Sequence, residues 1–333
     1  MINQTGPQVN EFYKTLHAEG LLSDESFEKV SAEREQPFFH VHWELKTILY
    51  LGVLLLTGGL GLLIYENIDT IGHQFVLMLI AAICIGCFVY CFRIKLPFST
   101  EKVKSPNTAF DYVLLLACTS FVIFIGYLQF EYRVFGLNYG LATLIPMLVL
   151  FFVAYWFDHL GILNMAIANL AIWMGVSVTP KQLLLNSDFD SETIIYTYLL
   201  LGVLLIAGAY ATQHFRFKKH FKFSYQHYGV HVTFIALLAG YFHYYDFPLC
   251  AVWILVLFGF AFLIYKDAFK DKSFYFLLLV ILYSYIAVSS LVVRALMRVL
   301  ESGGISLLLM YFIGSGIGLI FLLIYLNKKL KTA

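Results

Sequence analysis

The stretch IGHQFVLMLIAAICIGCFVYCF at residues 71–92 is apolar almost throughout and contains no Asp, Glu, Lys or Arg. A membrane core about 30 Å thick is crossed by roughly twenty helical residues, so this stretch has the length of one transmembrane helix. Nine other stretches are similarly apolar and long. We predict ten spans, at residues 45–65, 71–92, 109–128, 137–156, 161–177, 193–213, 228–246, 249–266, 273–293 and 304–327.

The composition of the chain agrees with a fold that is solvated by lipid. Of its 333 residues, 60% are hydrophobic and 13% are charged, whereas soluble domains have about 45–50% and about 25%. The apolar runs are continuous, which excludes transmembrane β-strands because these alternate apolar and polar side chains. The sequence therefore predicts an all-α polytopic transmembrane helical bundle of about ten spans.

The basic residues between the spans are sorted onto alternate sides. With a cytoplasmic N-terminus, 18 of the 22 Lys and Arg residues fall in inner segments, and the outer segments hold only Arg133, Lys181, Arg294 and Arg298. Such residues are retained on the cytoplasmic side of membrane proteins. We predict a multi-pass protein of the cell inner (plasma) membrane with both termini cytoplasmic. Because topology accounts for the basic residues and the net charge is only +1, we expect no nucleic-acid partner.

Residues 1–43 form the only sizeable polar segment. We predict that they are a cytoplasmic helical hairpin with its linker, followed by a transmembrane domain at 44–333. Gly20 is a typical helix C-terminal stop, and Ser23 with the acids that follow it is a typical start of a second helix. These residues lack the pattern of a secretory signal, so the first span is expected to be an uncleaved anchor.

Two segments near the N-terminus carry a family resemblance. They are KTLHAEGLLSDESFEKV at 14–30 and ILYLGVLLLTGGLGLLIYENIDTIG at 48–72. Together they resemble the bacterial predicted membrane proteins grouped as domain of unknown function 2157. The resemblance implies an N-terminal helical hairpin followed by a long array of spans, and it implies no known activity.

A transporter is the leading functional hypothesis. Ten spans with both ends inside divide into five plus five, about 45–177 and 193–327, and an odd-numbered repeat has inverted topology. Many secondary carriers are built from such repeats and bind substrate near the midplane. The two halves show no evident residue-level similarity, so the repeat stays an open alternative. We predict a small-molecule or ion transporter-like protein that works by alternating access.

Polar and helix-breaking residues inside the spans are the candidates for a transport path. Unpaired polar groups are unfavourable in lipid, so those within spans often mark function. The candidates are Asp111, Pro146, Asn164, Asn169 and Ser289. The competing interpretation is structural, because a proline kinks a helix and Asn or Ser commonly joins neighbouring helices by hydrogen bonds.

Arg294 and Arg298 are candidates for an anion site or a lipid-headgroup site. They lie four residues apart on one helix face, near the predicted outer end of the ninth span, where basic residues are otherwise scarce. The competing interpretation is that both side chains reach the interface, with Arg298 paired to Glu301.

The histidine and cysteine sets suggest metal or redox chemistry only weakly. His227 and His231 are four apart, but no third ligand follows at a fixed spacing. Cys84 and Cys87 form a C-x-x-C within an apolar span, where a buried thiol packs as a small hydrophobe. We predict no metal, no other cofactor and no disulfide framework.

Two alternatives to a transporter remain open. One is a non-catalytic scaffold or accessory subunit, whose Gly-rich spans at 57–61 and 314–318 bind a membrane-protein partner or a second copy within the lipid bilayer. The other is a membrane-embedded redox subunit or enzyme that uses the His and Cys sets. No nucleotide-binding, zinc-protease or nucleophile-elbow motif occurs in the sequence, so we expect that the protein is not an enzyme.

Overall fold

The computed structural model describes residues 72–178, 192–299 and 304–332, together with 15–20, 22–24, 26–27 and a few helical positions between 48 and 62. The chain forms two compact units, residues 1–72 and 73–333. Most of the predicted first span lies outside the described residues. The predicted domain boundary at 43–44 stays a prediction.

In the first unit, the described residues show a helix end and a helix start. Residues 15–18 are helical, and the chain turns at Gly20, which has the positive φ of 73° that glycine tolerates best. The Ser23 hydroxyl then accepts a hydrogen bond from the backbone N–H of Ser26 at 3.4 Å. The imidazole of His17 crosses this turn to Asp24, with 2.8 Å between Nε2 and Oδ1.

The described part of the second unit contains nine α-helices and one short 3₁₀ turn at Lys219–Phe221. The α-helices are α1 His73–Ile94, α2 Thr108–Tyr132, α3 Tyr139–Phe157, α4 Leu160–Val178, α5 Glu192–His214, α6 Lys222–His243, α7 Cys250–Lys270, α8 Phe274–Val299 and α9 Gly304–Thr332. No strand occurs in this described part. The prediction of an all-helical multi-span architecture is confirmed.

Eight of these helices are long and apolar enough to cross a membrane, and they coincide with eight of the predicted spans. The exception is α6, which begins at Lys222 rather than at the predicted residue 228 and is more polar than the others. Twelve of its residues are buried. A helix that is enclosed by protein needs fewer lipid-soluble side chains, which explains why its hydropathy is lower. The count of ten spans stays a prediction.

The central helix pair, α5 and α6, packs closely because glycines face each other's helix. A Cβ at Gly202 would lie 2.2 Å from Thr233 Oγ1 and 2.9 Å from its backbone nitrogen. A Cβ at Gly229 would lie 2.7 Å from the Ile206 side chain. Small residues allow helix backbones to approach in this way.

Two apolar cores flank this pair. The first core joins α1 to α4 with α5, around the fully buried Leu114, Leu150 and Leu163. The second joins α6 to α8 with α5 and α9, around Phe234, Leu257 and Leu277. Helix α9 is the least enclosed, since none of its most apolar 18-residue window is buried by the described residues.

Candidate functional site

Four connecting segments meet at one end of the second unit, which we call the basic end: 95–107, 158–159, 215–221 and 271–273. Asp158 joins the first three, because its carboxylate accepts from Val103 N–H at 2.6 Å and pairs with Lys218 Nζ at 3.0 Å. His220 also contacts this carboxylate. The fourth is joined through Asp271, whose Oδ2 lies 2.5 Å from Lys222 Nζ at the start of α6. The Asp158 and Lys218 side chains are each only 1% exposed. The predicted inner loops therefore lie together at one end.

Asp111 and His159 extend this polar cluster. Asp111 lies in the first turn of α2, and its Oδ1 is 3.7 Å from His159 Nε2. Burial lowers the pKa of His159, although the Asp111 and Asp158 carboxylates act in the opposite direction. The same Oδ1 of Asp111 is buried, and no described residue gives it a hydrogen bond. Buried acceptors in proteins are generally satisfied by protein groups or by ordered water.

The other predicted path residues on the first core lie in α3 and α4. Pro146 is buried within the continuous helix Tyr139–Phe157. The side-chain oxygen of Asn164 is buried and receives no hydrogen bond from the described residues. The Nδ2 of Asn169 donates to the Met165 carbonyl one turn earlier, at 3.0 Å.

A cleft of about 520 Å³ lies at the end opposite the basic end. It lies between α6, α8 and α9 and has the volume of a small-molecule site. Its lining residues are Phe242, Tyr245, Asp246, Ser289, Ser290, Val293 and Phe312. We call it the opposite-end cleft. A second cavity, at the basic end near Lys104 and Trp156, measures only about 20 Å³, which is room for one water.

Ser289 and Arg294 are the predicted site residues that the structure brings to the opposite-end cleft. Ser289 lines it, with its hydroxyl 3.0 Å from that of Tyr311. Arg294 follows Ser290 by one helical turn, and its guanidinium carbon lies 4.1 Å from the centre of the Tyr245 ring. Asp111, Pro146, Asn164 and Asn169 do not line this cleft.

The positive charge of Arg294 has no carboxylate partner within the described part of the chain. Its Nη1 donates to the Cys250 sulfur at 3.5 Å, and its Nε is buried without a hydrogen bond. No ion pair joins Arg294 to a carboxylate among the described residues. Arg298 lies in the same helix, but its side chain and the whole of Glu301 lie outside the described residues.

The sequence did not single out several residues of these two regions. Tyr245 and Asp246 belong to the segment FHYYDF, which is also typical of an interfacial aromatic belt. Lys218 is one of several basic residues in its loop, and topology alone explains them. Asp158 could have been noticed because it stands next to His159 in a connection of only two residues between α3 and α4.

The histidine and cysteine sets take different roles. Among the described residues, no group of three or more His, Cys, Asp or Glu side chains is placed to hold a metal ion. His227 and His231 bind tyrosine hydroxyls of α8 instead. All five cysteines are free thiols, and Cys84 contacts the Ala117 carbonyl of the neighbouring helix.

Residues 14–163 match the family model described as predicted membrane protein (DUF2157). The match confirms the family resemblance and extends it through α1, α2 and α3 to the start of α4. No curated protein and no solved structure matches the chain. The family description gives a membrane protein and no biochemical activity.

Proposed function

We propose that this membrane protein is transporter-like and binds a small anionic solute in the opposite-end cleft, beside Arg294. The observation that supports this most directly is a guanidinium with no described carboxylate partner next to a cleft of about 520 Å³. A cation inside the hydrocarbon region is unfavourable unless a counter-charge or water reaches it. An anionic ligand supplies that counter-charge.

The Arg294 guanidinium beside the cleft favours a carboxylate or phosphate group, which would bind away from the Asp246 carboxylate of the lining. Guanidinium binds either anion through two parallel hydrogen bonds. The Ser290 hydroxyl already donates to the Ala287 carbonyl at 2.7 Å, so the further donor is the pair of Ser289 and Tyr311 hydroxyls, which lie 3.0 Å apart. The aromatic rings of Phe242 and Phe312 supply an apolar wall, so the preferred solute carries an apolar part as well as its acidic group.

Alternating access in this proposal requires the centre of the bundle to open. Between the cleft and the basic end, α6 and α8 present the buried side chains of Phe234, Leu238 and Ala287. The predicted path residues of the first core remain part of the proposal. The buried oxygens of Asp111 and Asn164 support it, because neither receives a hydrogen bond from a described residue.

A thermal-shift screen of the purified protein tests the proposal. We expect at least one small carboxylate or phosphate ester to raise the melting temperature of the wild type but not that of Arg294→Gln. Arg133→Gln is the matched control, because Arg133 is an exposed loop arginine on the same predicted side. A ligand that stabilises wild type and Arg294→Gln equally would place its site elsewhere and refute this one.

We further propose that the basic end faces the cytoplasm of a cell with an inner membrane, that both termini lie on that side, and that the protein is not an enzyme. Support for the orientation comes from the sorting of Lys and Arg and from the meeting of three predicted inner segments at Asp158, with a fourth joined through the Lys222–Asp271 pair.

One observation favours the scaffold or accessory-subunit alternative. Helix α9 has no buried residue in its apolar window, and a Cβ at Gly314, Gly316 or Gly318 would meet nothing within 4 Å among the described residues. A second membrane protein or a second copy is the proposed occupant of this face. Mild purification from native membranes should then give a stoichiometric companion or a dimer. A monomer free of other proteins would contradict this alternative.

A further inference from the structure

Four side chains between α6 and α8 form one continuous hydrogen-bonded chain. Helix α6 provides His227 and His231, four residues apart, and α8 provides Tyr275 and Tyr283, eight apart, so each pair lies on one helix face. The distances are 2.6 Å from His227 Nδ1 to Tyr275 Oη, 3.0 Å from there to His231 Nε2, and 2.8 Å from His231 Nδ1 to Tyr283 Oη. Imidazole and phenol therefore alternate without a gap.

The hydrogens of this chain have two complete arrangements. The Tyr275 oxygen contacts two imidazoles but carries one proton, and a neutral imidazole has one donor and one acceptor nitrogen. If Tyr275 donates to His227, then His231 donates to Tyr275 and Tyr283 donates to His231. Reversing every donor gives a second arrangement with the same three hydrogen bonds.

The two arrangements interconvert by passing one proton along the chain. When the centre of the bundle opens toward the cleft, a proton that arrives from water at Tyr283 Oη displaces the Tyr283 proton to His231 Nδ1. The His231 Nε2 proton moves to Tyr275, the Tyr275 proton moves to His227 Nδ1, and His227 releases its Nε2 proton to water. One proton enters, one leaves, no group keeps a net charge, and the second arrangement results. A proton that arrives at His227 reverses every step. Net flux in one direction requires the hydroxyls and imidazoles to return to the first arrangement before the next proton moves.

The position of the chain suits passage through half of the bundle. At the basic end, the hydrogen-bonded chain begins at His227 and Tyr275. These residues lie about one helical turn beyond the ion pair Lys222–Asp271, whose Nζ and Oδ2 are 2.5 Å apart. From Tyr275 to Tyr283 the helix rises about 12 Å. At the inner terminus the Tyr283 ring stacks on Phe234, with centroids 4.7 Å apart. Ser290 in the opposite-end cleft lies about 10 Å further along α8.

No charged side chain forms part of this hydrogen-bonded chain. Within the described part of the chain, neither His227 nor His231 forms an ion pair with a carboxylate. Their ring neighbours are Phe223 and Tyr228 on α6, together with the two chain tyrosines. An imidazole without a fixed counter-ion is free to exchange protons in both directions.

We propose that the chain His227–Tyr275–His231–Tyr283 is a proton relay between the basic end and the centre of the bundle. The relay does not depend on what the cleft binds. If the cleft carries a solute, the relay supplies the ion to which its movement can be coupled.

Proton flux into liposomes tests the relay without any solute. Reconstituted protein is placed in vesicles that contain a pH-sensitive dye, and a potassium gradient with valinomycin imposes the membrane potential. Tyr275→Phe removes the shared hydroxyl and keeps the ring. Tyr285→Phe is the control, because Tyr285 lies on the same helix and contacts Ser315 instead.

We expect wild type and Tyr285→Phe to conduct protons, and Tyr275→Phe to lower the flux by roughly tenfold or more. Wild-type flux no higher than that of Tyr275→Phe would overturn the proposal. If Tyr275→Phe does not fold, Tyr283→Phe replaces it, since that change breaks only the last hydrogen bond and retains the stacked ring. Wild-type flux no higher than that of Tyr283→Phe would then overturn the proposal in the same way.

Discussion

Replacing Lys218 with methionine removes the cation that faces Asp158 at the basic end. Methionine is close to lysine in length and is apolar, so the contact with Phe98 beneath the side chain can persist. The backbone of Lys218 has a φ of 50°, which is equally strained for both residues. The variant therefore removes the ammonium, together with its hydrogen bond to the Glu101 carbonyl at 3.4 Å, and keeps the length of the side chain.

The expected destabilisation follows from burial rather than from distance. Both side chains of the Lys218–Asp158 pair are 1% exposed, and removing one partner of a buried pair costs about 3–5 kcal/mol. Because Asp158 keeps Val103 N–H and His220, we expect the lower end, about 3 kcal/mol. The pair Lys222–Asp271 is shorter, at 2.5 Å, but its side chains are 19% and 35% exposed. We expect Lys222→Met to cost less than about 1 kcal/mol.

Thermal unfolding in detergent, followed with a thiol-reactive fluorophore, measures both variants. Cys91 and Cys118 are fully buried and report unfolding when they become reactive. We expect Lys218→Met to lower the melting temperature by roughly 4 °C, because an unfolding entropy of about 2 cal/mol/K per residue gives a chain of 333 residues a shift of about 1.4 °C per kcal/mol. Adding Asp158→Asn should restore part of the loss. Equal losses in Lys218→Met and Lys222→Met would refute the assignment of stability to burial.

Two further predictions concern packing and pH. Gly202→Ala should destabilise the protein by about 1–3 kcal/mol, because the new Cβ would overlap Thr233. Gly318→Ala should be neutral or stabilising in the same unfolding assay, because its Cβ would meet no described atom. Equal effects of the two variants would argue against close α5–α6 packing. Because burial lowers the pKa of His159, its contribution to stability should be complete above about pH 6.5 and should fall as the pH drops below that value. The melting temperature of His159→Asn should depend less on pH between about 7 and 5, and an unchanged profile would contradict this assignment.

Helix positions were predictable because length and hydropathy are local properties of the sequence. The span predicted at 137–156 is observed as Tyr139–Phe157, and that at 249–266 as Cys250–Lys270. The start of α6 was placed six residues late, at 228, because its first two turns are polar. These turns are helical because Phe221, Ser224 and Tyr225 are buried against other elements, and that packing is not visible in a local window.

Contacts between helices were much harder to predict. The i,i+4 spacing of His227 and His231 was apparent, but their binding to Tyr275 depends on which helix lies opposite. Within the described residues, close packing occurs at Gly202 and Gly229, and the predicted binding of a partner through the glycines of 57–61 and 314–318 stays a prediction. Glycines in a span allow another helix to approach closely, but the sequence does not show which helix lies opposite them.

Labelling of single cysteines from the two sides of the membrane tests the orientation of the bundle and of the cleft most directly. In a variant without native cysteines, Lys102→Cys reports the exposed basic end and Ser290→Cys reports the cleft. We predict that an impermeant maleimide added to intact cells labels Ser290→Cys and labels Lys102→Cys only after the cells are opened. Labelling of Lys102→Cys in intact cells, or of both positions from the same side, would contradict the account.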